Sequence, residues 1–393
     1  MRVLMISYVM PHRMTTGAEV CTQNYIDAII NVGHELDLVA YTRVGDRSLP
    51  PAYCHSAGEW HIETDLAGPL AYLWLGRAYL TGSAYVTTKF QSQRFVRAVR
   101  QVASRTRYDC TIIDHTQLGW FLDYDFLPRP LIFSAHNVES RLYADQAVDT
   151  KRNNVVKRSV LARDARLLER LEAKFLRECR QTWVLTRTEK ETFAAVAPDS
   201  LDRIHVFDLP GKALAGSPGQ RQVDLDVGIL GGWLWDVNRR GLEWFMSQVV
   251  PLLPASFRIH IAGNGAKAVP NPYPNVVYEG FVESAVEFLR RCRVVVVPTV
   301  SGAGVQIKTI EGISAGVPMV ITPIGLRGIS EIPHYVSIAE TAEEMARLIR
   351  ERVSSPMAPD FEAGASWASS RWLAFTKSVQ GALSAIQSPG HSA

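Results

Sequence analysis

The sequence has no CxxC pair, no Cys/His cluster, no Walker-type loop and no HExxH. Those absences remove zinc-site, P-loop ATPase and zinc-protease readings, because each chemistry needs its ligands at fixed spacing. The five cysteines, Cys21, Cys54, Cys110, Cys179 and Cys292, are scattered and odd in number, which suits a reducing compartment better than a disulfide framework. Long apolar runs are also missing. The uncharged hydrophobic stretch Leu66 to Gly76 contains Gly68 and Pro69 and falls well short of the roughly 18 to 20 residues that a bilayer span needs. The apolar start, Val3 to Met10, runs into Pro11, His12 and Arg13 and reads as a first strand, not an export signal. The expected location is cytoplasmic. Charge of one sign is scarce too: 42 basic against 39 acidic side chains leave a net charge of +3, no whole-chain basis for binding nucleic acid.

What is present is enough for two domains. The chain has 393 residues, 47% of them hydrophobic and 21% charged, the balance of a globular protein with a large core. Arg2 to Tyr8 is a buried-strand run. Thr16 opens a capping box with Glu19, predicting a helix that turns Val20, Ile26, Ile29 and Ile30 inward, stops at Gly33 and hands over to a strand at Glu35 to Tyr41. Further strands are expected at Cys110 to Asp114, Leu131 to Ala135, Thr182 to Leu185 and Ile204 to Phe207, with a long helix from Val156 to Arg180. Turn formers between Asp208 and Val223 mark a linker. Alternation then restarts, with short Val- and Ile-rich runs at Asp226 to Leu230, Arg258 to Ala262, Val294 to Val297 and Met319 to Thr322, as in a second parallel sheet. In such sheets ligands sit beyond the carboxyl ends of the strands.

The most informative segment is RVVVVPTVSGAGVQIKTIEGISAGVPMVITPIGLRG, residues 293–328. A buried strand meets Ser301-Gly302-Ala303-Gly304, and a helix is expected to begin near Val305. Glycines let a backbone approach a ligand closely, and the free N–H groups of a helix start suit a phosphate. Gly304, Lys308 and Glu311 are spaced four and three apart, one face of a helix. Lys308 would meet a diphosphate and Glu311 the vicinal hydroxyls of a ribose. Spacing alone also allows an ordinary surface Lys/Glu pair.

This segment resembles the donor-binding signature of the GT-B glycosyltransferases of family 4. Other blocks agree in order: Met10 to Glu19, with its Thr-Gly-Ala-Glu turn around Gly17; Ala135 to Ser140, with His136 at a strand end; Gly231 to Trp244, where Arg240 fits the basic residue that reaches the phosphates; Ile261 to Gly265, with Gly263; and Glu279 to Val282, close to the base. The resemblance implies an α/β chain with two doubly wound Rossmann-like domains facing across a cleft. The expected organisation is an acceptor-side domain over 1–207, a linker over 208–224, a nucleotide-sugar domain over 225–366 and a helix with tail over 367–393 returning to the first domain. It further implies a retaining transfer of a sugar from a UDP-, GDP- or dTDP-sugar to a glycan, lipid-linked or small-molecule acceptor, with no obligatory cofactor or metal. His136 would be the catalytic contact. Gly17, Arg240, Gly263, Val282, Gly302, Ala303, Gly304, Val305, Lys308 and Glu311 would bind the donor. An epimerase or hydrolase of the same fold, or a non-catalytic nucleotide-binding scaffold, are the alternatives.

Two positions depart from the family pattern. A glutamate usual seven residues before Glu311 is replaced by Ala303, and an arginine usual early in the second domain is absent, with Trp233 nearby. Gly263 to Ala268 matches a GxGxxA fingerprint, but Pro270, Pro272 and Pro274 prevent the long helix a dinucleotide site requires. Asp123/Asp125 and Asp224/Asp226 read as solvated turns and not as metal pairs. Glu331 and His115 rank below His136 as site candidates. Between Arg77 and Arg107 there are seven basic residues and no acidic one. Arg94, Arg97 and Arg100 fall on one helical face, an expected acceptor-side or anionic membrane-surface patch at the inner face of the membrane, or a merely solvated face.

Overall fold

The computed structural model describes residues 1–14, 16–150, 154–211, 223–302 and 304–387. The chain divides into two compact units, one formed by Met1–Phe207 with Phe375–Ala393, the other by Asp208–Ala374. Most of the expected linker, and Ala303, lie outside the described residues.

In the first unit the chain runs β1 (Arg2–Ser7), α1 (Gly17–Asn31), β2 (Glu35–Arg43), β3 (Cys54–Trp60), α2 (Leu70–Thr81), α3 (Tyr85–Phe90), α4 (Gln93–Ala103) and β4 (Cys110–Asp114). It continues through β5 (Leu131–Ser134), α5 (Glu139–Asp149), α6 (Val155–Glu178), β6 (Gln181–Val184), α7 (Arg187–Val196) and β7 (Ile204–Val206). The seven strands lie in the order β3-β2-β1-β4-β5-β6-β7, and every pairing is parallel. Both faces of such a sheet are covered, so its strands can be apolar throughout; β4 is buried at all five positions.

The second unit repeats the plan with β8 (Leu225–Leu230), α8 (Asp236–Trp244), β9 (Ile259–Ala262), β10 (Val276–Gly280), α9 (Ala285–Arg291) and β11 (Cys292–Val297). After these come α10 (Ile307–Ser314), β12 (Met319–Ile321), β13 (Val336–Ile338), α11 (Ala342–Ser354) and α12 (Phe361–Gln387). Its order is β10-β9-β8-β11-β12-β13, again all parallel. In both sheets the direction of winding reverses beside the first strand, between β1 and β4 and between β8 and β11. That reversal opens the crevice in which doubly wound sheets bind ligands.

Several local expectations need correcting. Ile30 is 42% exposed, because it sits on the outer side of the last turn of α1 while Ile26 and Ile29 carry the packing. The α10 helix starts at Ile307, so Gly304 precedes it in a left-handed conformation (φ 79°) and shares no helical face with Lys308. Asp226 is no solvated turn: it is buried in β8 and pairs with Arg258 and Arg293, while Asp224 holds Arg291 through both carboxylate oxygens at 2.9 and 2.6 Å. Strands β3, β10 and β13 escaped the sequence reading. β3 and β13 are edge strands whose polar or very short runs carry little alternation, and of β10 only the Glu279-Gly280 end had been noted.

Helix α12 runs unbroken through the boundary at 366–367 expected from the sequence. Its Phe375 is 1% exposed and packs on Tyr25 of α1 at 5.2 Å and on Phe207 at 6.1 Å, beside Trp183. Gln181 reaches the same helix, donating to the Ala382 carbonyl at 2.8 Å. Phe375→Ala should therefore destabilise the first unit by about 3–5 kcal/mol, read as a lower denaturant midpoint of Trp183 fluorescence at unchanged slope.

Candidate functional site

At the carboxyl end of the first sheet the sequence places a charge where an apolar strand stops. Asp114 ends β4 and is fully buried. Its Oδ1 accepts from Ser134 Oγ at 2.9 Å and His136 Nε2 at 2.8 Å, and its Oδ2 from Ser7 Oγ at 2.8 Å and Thr22 Oγ1 at 2.7 Å. One carboxylate thus ties the ends of β1, β4 and β5 to α1. Burial opposes its ionisation, but the His136 imidazole and the hydrogen bonds from His136 and Thr22 outweigh that and hold the carboxyl well below the usual range. The His136 imidazole is disfavoured as a cation by burial, yet the adjacent Cys21 and Asp114 hold its pKa well above the ordinary value. His115 goes the other way. Burial pushes it down to about 3, so near neutral pH it is the neutral ring stacked 3.7 Å from His136.

His136 is 6% exposed. Its Nε2 is committed to Asp114, its Nδ1 is buried, and the Cys21 thiol of α1 lies against the ring. Asp114, the residue that fixes the ring, does not figure among the expected site residues, although a carboxylate closing the run Cys110-Thr111-Ile112-Ile113 is the signal that marks it. His115 (φ 75°) bends the chain immediately after. Gly17 is the exposed first residue of α1, where the capping box is complete: Thr16 N–H donates to Glu19 Oε2 at 2.9 Å and Glu19 N–H to Thr16 Oγ1 at 3.3 Å. Arg43 neutralises Glu19 in turn.

The second sheet gathers the remaining candidates at its own carboxyl end. Gly263, at φ 111°, lies so close to the Gly231 carbonyl that a Cβ there would meet the oxygen at 1.7 Å, and its N–H donates to Gly280 at 2.6 Å. The ends of β8, β9 and β10 are drawn together in this way, and Val282 follows two residues after β10. Trp233 fills the space behind Gly231; it is 1% exposed and donates from Nε1 to the Ala262 carbonyl at 2.9 Å. Gly302, at φ 107°, packs on Val237 of α8, where a Cβ would come within 2.5 Å, and its carbonyl accepts from Arg327. Gly241 brings α8, and with it half-buried Arg240, against Pro298 at the end of β11.

Lys308, in the first turn of α10, donates to Asn238 Oδ1 at 3.2 Å and sits 5.6 Å from the Trp233 ring. Desolvation pushes its pKa down to about 8. Asn238 is held for this contact by its own donation to the Gly232 carbonyl at 3.0 Å. Gln306, which caps α10, makes no side-chain bond to the first turn, leaving N–H groups there for another acceptor. Among the described residues, Thr299 Oγ1 and Ser301 Oγ in the same loop are buried without hydrogen-bond partners. Val305 lies in this loop and Glu311 one turn into α10. The arrangement, a desolvated ammonium beside free N–H groups and glycines at a winding reversal, fits a polyanion. Thr299 and Arg327 lie within residues 293–328 and Asn238 within Gly231 to Trp244, but no spacing in those blocks marks them. Glu331 is exposed, and its carbonyl accepts from Trp367 Nε1 at 2.9 Å within the second unit. A groove of about 670 Å³ beside β7 contains none of the expected site residues.

Residues 225–354 match the family Glycosyl transferases group 1. No curated protein matches the chain. Among solved structures, sucrose-phosphate synthase from Thermosynechococcus elongatus is similar at 14% identity and a TM-score of 0.65, covering 98% of this chain and 96% of that one. HepE of Anabaena, in complex with UDP-glucose, is similar at 13% identity and a TM-score of 0.61, covering 98% and 100%. S. aureus TarM, in a structure that includes UDP, is similar at 10% identity and a TM-score of 0.61, covering 99% and 100%.

The fold is GT-B. The family match coincides with β8 to α11, the part of the second unit that carries Arg240, Gly263, Gly302, Lys308 and Glu311.

The Asp114–His136 pair gives a pH test. The depressed Asp114 carboxyl contributes stability above its unfolded pKa of about 3.9 and loses it as pH falls; the raised His136 contributes below its unfolded value of about 6.5 and loses it as pH rises through the folded value. Asp114→Asn should therefore cost most between those two values, about 3–5 kcal/mol. Chemical denaturation of both proteins from pH 3 to 9 would show the difference narrowing on either side; a constant difference would contradict the pairing.

Proposed function

We propose that the chain is a retaining glycosyltransferase that moves a sugar from a nucleoside-diphosphate sugar to a hydroxyl of a glycan, lipid-linked or small-molecule acceptor. The observation that carries this reading is Lys308: a desolvated ammonium at the winding reversal of the sheet, inside the segment that matches the glycosyl transferase family. The diphosphate is assigned to the loop Gly302 to Val305 and the first turn of α10, with Lys308 and Arg240 answering its charge. Glu311 is assigned to the ribose hydroxyls, and Gly263 and Val282 to the nucleoside side.

In the transfer the bond from the anomeric carbon to the diphosphate breaks, the acceptor oxygen bonds that carbon on the same face, and the acceptor hydroxyl gives its proton to an oxygen of the departing diphosphate. Negative charge grows on the departing diphosphate, so fixed N–H groups and the ammonium stabilise the transition state more than the ground state. Donors of this kind contribute roughly 2.7–4 kcal/mol each. Ala303 removes one carboxylate from the donor pocket of the family pattern, which lowers the charge facing the sugar and narrows what can hold its hydroxyls. His136 is assigned to the sugar, with Asp114 as the positioning residue that holds its Nε2. Because two of the similar structures contain UDP or UDP-glucose, UDP-sugars are the first donors to test.

Lys308→Ala and Glu311→Ala should each weaken nucleoside diphosphate binding by roughly tenfold or more, as loss of a hydrogen bond to a charged group does, while circular dichroism stays unchanged. Unaltered calorimetric affinity in both would refute the donor-site assignment. An anion raises the Lys308 pKa on binding, so wild-type affinity should be level below pH about 8 and fall as pH rises beyond it; the Lys308→Ala protein should lose that decline. Mass spectrometry with UDP-sugars completes the test. Glycosylated product formed only with an acceptor supports transfer, whereas free sugar released without one would make the protein a hydrolase.

A further inference from the structure

The solvent side of α2 is apolar. Leu70, Leu73, Arg77 and Leu80 recur at spacings of three, four and three and so share one face, with Tyr72 and Tyr79 beside them and Leu66 in the turn before. Leu80 is 90% exposed, Tyr72 78%, Leu66 71% and Leu73 66%. The opposite face does the packing: Trp74 and Ala78 are buried, and Trp74 stacks on Trp60 at 6.0 Å. A surface helix ordinarily turns its polar residues to water. Here Arg77 is the sole charged residue of α2.

The face is held firmly. Arg163 of α6 donates to the carbonyls of Ala78 at 2.9 Å and Ser83 at 3.1 Å, and its guanidinium lies 4.3 Å over the Tyr79 ring. Arg77 donates to the Gln91 carbonyl at 3.3 Å, tying α2 to the approach of α4. On α4 and just after it, Arg94, Arg97, Arg100, Arg105 and Arg107 are exposed, and no acidic residue occurs from Leu66 to Tyr108. Lys89 is not part of this surface: it is buried and donates to Ile62 O and Thr64 Oγ1.

We propose that α2 lies in the surface of an anionic lipid bilayer. Its leucines would enter the acyl boundary, Tyr72 and Tyr79 would sit at headgroup level, and Arg77 would extend its charge back to the headgroups beside the arginines of α4. Charge selects the occupant. Two copies of the chain meeting through this face would set Arg77 and its neighbours against their equivalents, with no acidic group in the segment to answer them; a layer of lipid phosphates answers all of them. The inference goes beyond the sugar-transfer reading and does not rest on it.

The test is flotation of the full chain, without nucleotide, with vesicles of phosphatidylglycerol and phosphatidylcholine or of phosphatidylcholine alone. The chain should float with the anionic vesicles and much less with the neutral ones. The double variant Leu73→Asp/Leu80→Asp should lower anionic binding by at least about tenfold, with nucleoside diphosphate affinity and circular dichroism unchanged because both side chains are exposed. Equal recovery of variant and wild type, or no flotation with anionic vesicles, would overturn the proposal. A dimer in sedimentation that the double variant abolishes, without flotation, would give the face to a second copy instead. Nucleotide affinity is read separately, so failure here and failure of the donor-site assignment are distinguishable.

Discussion

A parallel strand that stops at a winding reversal leaves polar backbone groups and nearby side chains facing each other with little water to satisfy them. Both sheets of this protein are organised around that constraint, and they meet it in opposite ways. The first unit closes it with a charge: the Asp114 carboxylate collects hydrogen bonds from Ser7, Thr22, Ser134 and His136, so strand ends and helix are fixed by one fully used acceptor. The second unit leaves it open. Gly263 lets the Gly231 carbonyl approach closely, Gly231 and Gly302 leave room for the Trp233 and Val237 side chains, and the polar groups that remain, Thr299 Oγ1, Ser301 Oγ and the Lys308 ammonium, are incompletely answered among the described residues.

A satisfied buried network rigidifies a core, whereas buried donors without partners are costly unless something else supplies the acceptor. The electrostatics follow the same division. Asp114 is stabilised as an anion by its surroundings, while Lys308 is destabilised as a cation by its own. Trp233 belongs to this picture: it offers the ammonium a ring face.

The sequence made the central strands legible because buried parallel strands are continuous Val/Ile runs bounded by Gly and Pro, as in Val294 to Val297. It also revealed the Thr16/Glu19 cap, whose two bonds are local and therefore written in adjacent residues. Edge strands such as β3 were hidden, since only one neighbour pairs with them and their polar residues are tolerated. The loop before α10 is visible as a glycine motif. Its supports are not: Asn238 and Arg327 reach it from residues far away in the chain, and such contacts leave no local pattern. The same holds for Asp114, whose four donors come from three separate segments.

Helix α12 gives the chain an order of completion. Phe375 belongs to the aromatic cluster of Tyr25, Trp183 and Phe207, yet it is synthesised after the whole of the second unit. Domains generally fold as units while the ribosome proceeds from the amino terminus, but here the earlier lobe must wait with an open apolar seam until the last turns of the polypeptide emerge. Nascent chains stalled before that point would carry an exposed seam, the kind of surface that chaperones bind.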